Sequence, residues 1–460
     1  MSSITKPQVK TVIKMLPVLF ILLGMLSCKK DIVEKDFDQQ DISAKANNVQ
    51  GHLKQTKTYT SDVVKTWIAF DLRLLRTNPI NNFVMMQHWA YSSIALYEAV
   101  LPGMPAYQTL SGQLNQMPAM PATLPGHAYH WPTAANTVLA AMKRYFYPAI
   151  ANVDKVSTDS LETALNEIYK NEVNAEIFKR SVDFGKAIAQ AVYDWAKTDG
   201  SFTIHPPYIL PVGPGQWEKT FPAFANPQNP YWSTNRPLMA GSVAAAHIPP
   251  PLAYSTDPSS EFYASAKEVY DISQTLTGEQ KAQVISWRDV PGGGHAHWLD
   301  IFLQVLNREG NEAMLDKAVV VNAKLGISQS DARISCWKAK YDYNLIRPVS
   351  YIRSVLGHTT WNSFITTPNH PEYPSAHSSF SIPAAIVLTK EFGDNYSFTD
   401  HTYDFLGLPA RYYYSFMHAA EDAGDSRVFA GLHYRFSIDA GSKLGTAVEK
   451  YMSEKIRFKK

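Results

Sequence analysis

Cysteine is nearly absent from the 460 residues, with only Cys28 and Cys336 present. A disulfide framework is therefore excluded, as are zinc sites built from several thiolates. An excess of charge is missing too: 43 Lys plus Arg stand against 41 Asp plus Glu, a formal charge of +2. A surface that binds nucleic acid by displacing counterions carries more positive charge than that, so no nucleic-acid partner is expected. After the N-terminal segment no apolar run is long enough to span a bilayer. A His-Glu-x-x-His pattern does not occur, and the acidic residues around the segments that carry chemistry do not cluster as a two-metal phosphatase requires. No divalent metal is expected.

What is present is enough for a large core: 45% of the side chains are hydrophobic, and 25 Tyr, 21 Phe and 10 Trp imply packed aromatic surfaces around loops or a cavity. Lys6, Lys10 and Lys14 precede the short apolar run "MLPVLFILLGML", and "SC" follows with Cys28. This reads as a lipoprotein-type signal over residues 1–27, although Met25 stands where Leu is usual. Cys28 would then carry the lipid anchor, and the protein would be exported, facing the periplasm or the cell surface. Residues 28–58 are polar, poor in aromatics and without a sustained period, and read as a flexible tether.

Residues 59–460 are expected to form one α-helical domain, an all-α bundle, because strand-like alternation is scarce and helical periodicity recurs. It is clearest in "SDVVKTWIAFDLRLLRT", with Ser61 as its cap, "NNFVMMQHWAYSSIALYEAV", "TAANTVLAAMKRYFY" and "AEIFKRSVDFGKAIAQAVYDWAK". It returns in "NEAMLDKAVVVNAKLGISQSDARISCWKAKYDYNLI", "SIPAAIVLTKEF", "ARYYYSFMHAAEDAG" and "FSIDAGSKLGTAVEKYM". Between the two halves, Ser201 to roughly Pro251 is too rich in proline for regular helix. Its aromatics argue for an ordered cover over something.

Three segments in the last third carry chemistry. In "KAKYDYNLIRPVS", Lys340 and Arg347 have the spacing that puts two cations on one helix face. In "PEYPSAHSSF", Ser375 and His377 precede an apolar helical run, so a hydroxyl and unbonded amides can face an oxyanion. In "SRVFAGLHYRFS", Arg427 precedes His433 by six residues. Singly, each has an ordinary reading as a solvated helix face, an N-cap or a half-buried histidine. Jointly, two Arg, a Lys, a Ser, backbone amides and two His suit a compact tetrahedral anion with no metal ion to neutralise it.

In order and spacing, these segments resemble the signature of the type 2 phosphatidic acid phosphatase and vanadium haloperoxidase superfamily. That signature is Lys, six residues, Arg-Pro; then Pro-Ser-Gly-His; then Ser-Arg, five residues, His. Here it stands as Lys340 with Arg347 and Pro348, as Pro374–Ser375–Ala376–His377, and as Ser426–Arg427 with His433. The stretches "SWRDVPGGGHAHW" and "FPAFANPQNPYWSTNRPL" resemble the haloperoxidase-like branch, so the likeness runs from about Ser61 to the C-terminus.

The resemblance implies a helical-bundle domain of the haloperoxidase and acid phosphatase type. It also implies that His433 bonds vanadium in a peroxidase, or attacks phosphorus in a phosphatase. Lys340, Arg347, Arg427 and Ser375, with the amide of Ala376, would hold the anion's oxygens, Lys340 would also polarise peroxide, and His377 would be the general acid or base. Asp289 matches an acidic residue that pairs with the anion-binding arginine in the haloperoxidase branch. Two departures stand out. Ala376 replaces the usual Gly, and Ser437 stands where the family often has an Asp that orients the histidine, with Asp439 two residues on.

Phosphate and vanadate both pass through five-coordinate geometry, so neighbours must separate the activities. Trp337 matches a Trp of chloroperoxidase-like members, and His370 a His of bromoperoxidases; their ordinary readings are core packing and a loop residue. Lipid phosphatases of the superfamily have several membrane spans, and the soluble acid phosphatases are generally shorter. The expected function is a vanadium-dependent haloperoxidase with vanadate as cofactor, oxidising iodide or bromide with hydrogen peroxide to hypohalous acid. One alternative is a soluble acid phosphatase working on a phosphate ester through a phosphohistidine. Another is an envelope lipoprotein that only binds an oxyanion. Fold analogy suggests a homo-oligomer.

Overall fold

The computed structural model describes residues 54–290 and 296–460. Fourteen α-helices occur among them, in two groups that meet on one long helix. The first group is α1 (Asp62–Thr77), α2 (Asn82–Val100), α3 (Trp131–Phe146), α4 (Asn152–Lys170) and α5 (Ala175–Ala196). After the short α6 (Ser242–Ala245) come α7 (Glu261–Gln274), α8 (Gly278–Ser286) and α9 (His297–Glu309). The second group is built on α10 (Leu315–Tyr343), followed by α11 (Pro348–Ser354), α12 (Ala376–Phe392), α13 (Phe416–Phe429) and α14 (Arg435–Lys455). Among the described residues no helix is long and apolar enough to cross a membrane.

Nearly every residue of α2 and most residues of α10 are buried, on all sides of each helix rather than along a single stripe. α10 packs against α2 on one side and α12 on the other, and α12 in turn carries α13 and α14. Polar groups inside such a core need partners. Asp331, midway along α10, accepts the N–H of Leu238 (2.7 Å) and Met239 (2.9 Å) and the hydroxyl of Ser242 (2.7 Å). These bonds fasten the proline-rich segment to α10. Further on, Trp217 donates its N–H to Asn344 O, Ile346 donates to Gly215 O, and the Trp337 indole donates to Gln228 O. The segment is the ordered cover its aromatics suggested, strapped over the C-terminal end of α10.

Several local expectations are corrected. The helical runs named from the sequence omit α4, α7, α8 and α9. α4 lies on the outside: only Asp154, Thr158 and Tyr169 are buried, and Leu161 and Leu165 pack half-buried against the core. α8 is nine residues long and is defined by its capping box, Thr277 with Gln280. The run "ARYYYSFMHAAEDAG" is not helical throughout. Arg411–Tyr413 pairs antiparallel with Phe398–Asp400, as suits a run of β-favouring tyrosines, and the helix starts only after the Ser415 cap. The proline-rich segment does contain one helical turn, α6. Ser61 precedes α1 but its side chain makes no capping bond. Ordered packing begins before residue 59: Thr56 is buried with its hydroxyl on Val100 O, and the Trp131 indole donates to Lys54 O. Residues 1–27, Cys28 and the tether up to residue 53 lie outside the described residues.

The approach of α14 to α12 fixes the position of the signature residues. A Cβ at Gly441 would lie 2.5 Å from Ser375 O, and one at Gly445 2.9 Å from Ser379 O. Only glycine lets the two backbones come this close, and Ser375 N then donates to Ser437 O at 2.9 Å. Gly441→Ala is expected to destabilise the protein by about 2 kcal/mol, seen as a lower thermal midpoint of the full chain. An unchanged midpoint would show that the helices have room to spare.

Candidate active site

Gln329, Arg333, Trp337 and Lys340 follow one another along α10 at steps of four, four and three residues, so they share one face. The helix does not continue to Arg347. It stops at Tyr343 because Asn344 takes a left-handed conformation (φ 46°). Lys340 and Arg347 are therefore brought together by a chain reversal, not by helix periodicity. Arg347 caps α11 and is fully buried. Its Nε donates to His370 O (2.9 Å), its Nη1 to Leu432 O (2.9 Å), and its Nη2 lies 3.0 Å from His370 Nδ1.

Lys340 is also fully buried, and its ammonium donates to three carbonyls, those of Pro371 (3.0 Å), Glu372 (2.9 Å) and Pro374 (2.5 Å). It thereby shapes the loop that leads into α12, and to hold an anion's oxygen it must exchange one of those bonds. Burial pushes its pKa down to about 7, with the Arg347 guanidinium acting in the same direction. Ser375 caps α12, and the first amides of that helix have no intrahelical acceptor. Ala376 is the first helical residue, so the site makes no demand for a positive φ and the change from Gly costs no backbone strain.

His433 follows α13, whose last turn holds Ser426 and Arg427. His433 Nδ1 lies 2.8 Å from Glu372 Oε1, and its Nε2 lies 3.2 Å from Arg347 Nη1. Glu372 also accepts the Tyr434 N–H (2.9 Å) and the Ser437 hydroxyl, which donates to Oε2 (2.6 Å). This overturns the expectation that Ser437 leaves the histidine without a charged partner. The carboxylate comes from Glu372, and Ser437 fixes the carboxylate, not the imidazole. Asp439 is exposed and takes no part. Burial holds the His433 pKa well below its ordinary value, and Arg347, Lys340, His370 and Arg427 add to this. A neutral ring that gives its Nδ1 proton to Glu372 keeps a lone pair on Nε2. Burial pushes the Glu372 carboxyl up to about 7, against the pull of Ser437, Arg347 and Lys340.

These groups back an open-mouthed cavity. His433, His370, His377, Ala376, Arg427, Asp289 and Trp337 line it, whereas Lys340, Arg347 and Ser375 stand one layer behind. The remaining walls come from residues outside the signature, Trp287, Trp298, Gln329, Arg333 and Phe380. His377 Nε2 donates to Trp287 O (2.8 Å) and lies 3.7 Å from Asp289 Oδ1. Burial lowers the pKa of Arg427 and of Arg333, and the Asp289 carboxylate acts against that on both. Trp337 is both wall and core, packed on Phe83 at 4.1 Å between ring centroids and on His370 at 4.9 Å. His370 is a buried partner of Arg347 rather than a surface loop residue.

The main residue that sequence reasoning missed is Glu372. Its signal was an acidic side chain enclosed in "HPEYPSAH", two residues before the signature proline. Arg333 was missed as well, although the spacing from Arg333 to Lys340 is the same as that from Lys340 to Arg347.

A family model described as the VCPO second helical-bundle domain matches residues 321–458. Among solved structures, a bacterial vanadium-dependent iodoperoxidase is 29% identical in sequence, with 87% of this chain and 97% of that chain covered and a TM-score of 0.79. A bacterial vanadium-dependent chloroperoxidase in its holo form is 16% identical, with 82% and 93% covered and a TM-score of 0.60. Its apo form gives the same identity and TM-score, with 83% and 96% covered. At that identity the chloroperoxidase speaks for the fold alone. No curated protein matches the chain.

Two outcomes follow from the geometry. Glu372→Gln keeps the shape but removes the charge, and is expected to lower turnover about 10- to 100-fold and to mix the two neutral tautomers of His433, as read by nitrogen NMR of the imidazoles. Wild-type turnover with an unchanged tautomer would contradict the role given to Glu372. Separately, the Lys340 proton is lost and the Glu372 charge gained as pH rises through about 7. Both changes oppose an anion, so orthovanadate or orthophosphate affinity should fall across that range, less steeply in Lys340→Met. Affinity that stays flat or rises would refute this.

Proposed function

We propose that the chain belongs to the vanadium haloperoxidase superfamily and oxidises iodide or bromide with hydrogen peroxide to hypohalous acid. The observation that carries this reading is His433: a buried, neutral imidazole held at Nδ1 by Glu372, with Nε2 turned toward Arg347 at the back of an aromatic-walled cavity. The residues fit vanadate. His433 Nε2 would bond it, while Arg347, Arg427, Lys340, Ser375 and the first amides of α12 would hold its oxygens. Bound there, vanadate supplies the Lewis acidity that activates peroxide toward halide, with no change of oxidation state. His377 Nε2 keeps its proton on the Trp287 carbonyl beside Asp289, so Nδ1 is the nitrogen that would receive or return a proton. The walls of Trp287, Trp298, Trp337 and Phe380 suit a large polarisable halide better than a phosphate ester. We also infer from the N-terminal pattern that the enzyme works outside the cytoplasm, anchored through Cys28.

The test is to strip the purified protein of bound oxyanion and assay it with and without orthovanadate, using peroxide with iodide or bromide, and separately p-nitrophenyl phosphate. Halide oxidation that needs both vanadate and peroxide, and that His433→Ala abolishes, is expected. Phosphate ester hydrolysis that vanadate blocks, without halide oxidation, would replace the peroxidase by an acid phosphatase.

A further inference from the structure

The two ends of the described domain meet on one segment, residues 100–108. At the start of the domain Thr56 donates its hydroxyl to Val100 O (2.9 Å), and a Cβ at Gly103 would collide with Thr56 and Trp131. At the other end Lys460 N donates to Ala106 O (3.0 Å), Gln108 N donates to Phe458 O (2.9 Å), and Lys460 Nζ donates to Pro105 O (3.0 Å). The last residues are thereby held beside the place where the preceding chain joins the domain. This end is basic. Lys57, Arg457, Lys459 and Lys460 are exposed, and a groove here sets Lys324, Lys390, Arg457, Lys459 and Lys460 against two carboxylates, Glu391 and Glu449. Glu391 is already paired with Lys324, and Glu449 accepts from Lys390 at 2.8 Å. Asp316, near Tyr107, and the terminal carboxylate reduce the excess without cancelling it. The whole chain carries a formal charge of only +2, so the excess is local.

We propose that this basic end lies against an anionic phospholipid surface and fixes how the domain stands on it. The inference rests on the reading that Cys28 carries a lipid anchor. The stretch from residue 29 to residue 53 can reach tens of ångströms, farther than the roughly 8 Å over which a surface charge acts at physiological salt. The anchor alone therefore sets no orientation. Cations at the point of attachment do, because each Lys or Arg that comes within that distance strengthens the attraction about fivefold. α10 then decides which part of the domain is far from the lipid. Its first residue, Leu315, donates its N–H to Tyr59 O (2.9 Å), close to Lys57, and its last turn carries Lys340. At 1.5 Å per residue these two points are about 37 Å apart along the helix. The reaction cavity thus occupies the opposite end of α10 from the basic surface.

The test uses the processed chain, residues 28–460 with Cys28→Ser so that no acyl group confounds it, and vesicles of phosphatidylcholine with or without phosphatidylglycerol. Binding is expected on the anionic vesicles, weakened by salt and lowered about 10- to 100-fold by the combined changes Arg457→Gln, Lys459→Gln and Lys460→Gln. No preference for anionic vesicles, or a preference that survives the three changes, would overturn the proposal. Orientation is read with a dye attached at Ala106→Cys, at the basic end, or at Ile209→Cys, next to Tyr208, which packs on Tyr341 at the cavity end, with spin-labelled lipid as the quencher. Cys336 is buried and stays unlabelled. Quenching at 106 but not at 209 is expected; equal quenching at both, or at 209 alone, would refute the orientation. The anchor is read separately, in cells making the wild-type protein, by incorporation of labelled fatty acid that Cys28→Ser abolishes. Its absence would remove the anchor reading, while the vesicle measurements still decide whether the basic end binds anionic lipid.

Discussion

The hydrogen bond between Glu372 and His433 is the contact on which the rest of the site depends. Bonds to a charged acceptor are the stronger ones, contributing about 1.5–3 kcal/mol each, and this one also selects the tautomer. On the other side of the ring Arg347 Nη1, a donor 3.2 Å from Nε2, favours the same tautomer. With both contacts, the ring is neutral and aimed, and the surrounding cations remain for an anion. Ser437 and the Tyr434 amide hold the carboxylate in turn, so the positioning reaches back into the first turn of α14.

The fold delivers these groups from three places that are far apart in sequence. α10 brings Lys340 and, by ending at Asn344, returns Arg347 to the same spot. The loop before α12 brings His370, Glu372 and Ser375, shaped by the three carbonyl bonds of Lys340. The turn after α13 brings His433. The glycines at 441 and 445 let α14 close onto α12, which is why the small residues of that helix matter as much as the charged ones. The proline-rich strap then covers the C-terminal half of α10, held by Asp331 at the middle of that helix and by Trp337 nearer its end.

Much of this was legible in the sequence. α2 and α10 were recognisable as helical runs, and Lys340, Arg347, Ser375, His377, Arg427 and His433 stand in a spaced signature whose segments the fold brings together. What was not legible depends on geometry rather than residue type. α4 was overlooked because polar residues outnumber its apolar ones, although Leu161 and Leu165 recur at helical spacing. The break at Asn344 requires a left-handed residue that the sequence does not single out. The acidic partner of His433 was sought at position 437, one helical turn on, but the chain supplies it from residue 372 through tertiary packing, a route that local spacing does not reveal. Arg333 was hidden for a similar reason: a lone arginine in a helix reads as solvated until the cavity beside it is seen.

The most direct measurement is a structure of the protein loaded with orthovanadate. A vanadium atom bonded to His433 Nε2, with Glu372 still on Nδ1 and the oxygens held by Arg347 and Arg427, is what the account predicts. An oxyanion held by the arginines with no bond to His433, or a His433 turned away from Glu372, would contradict it.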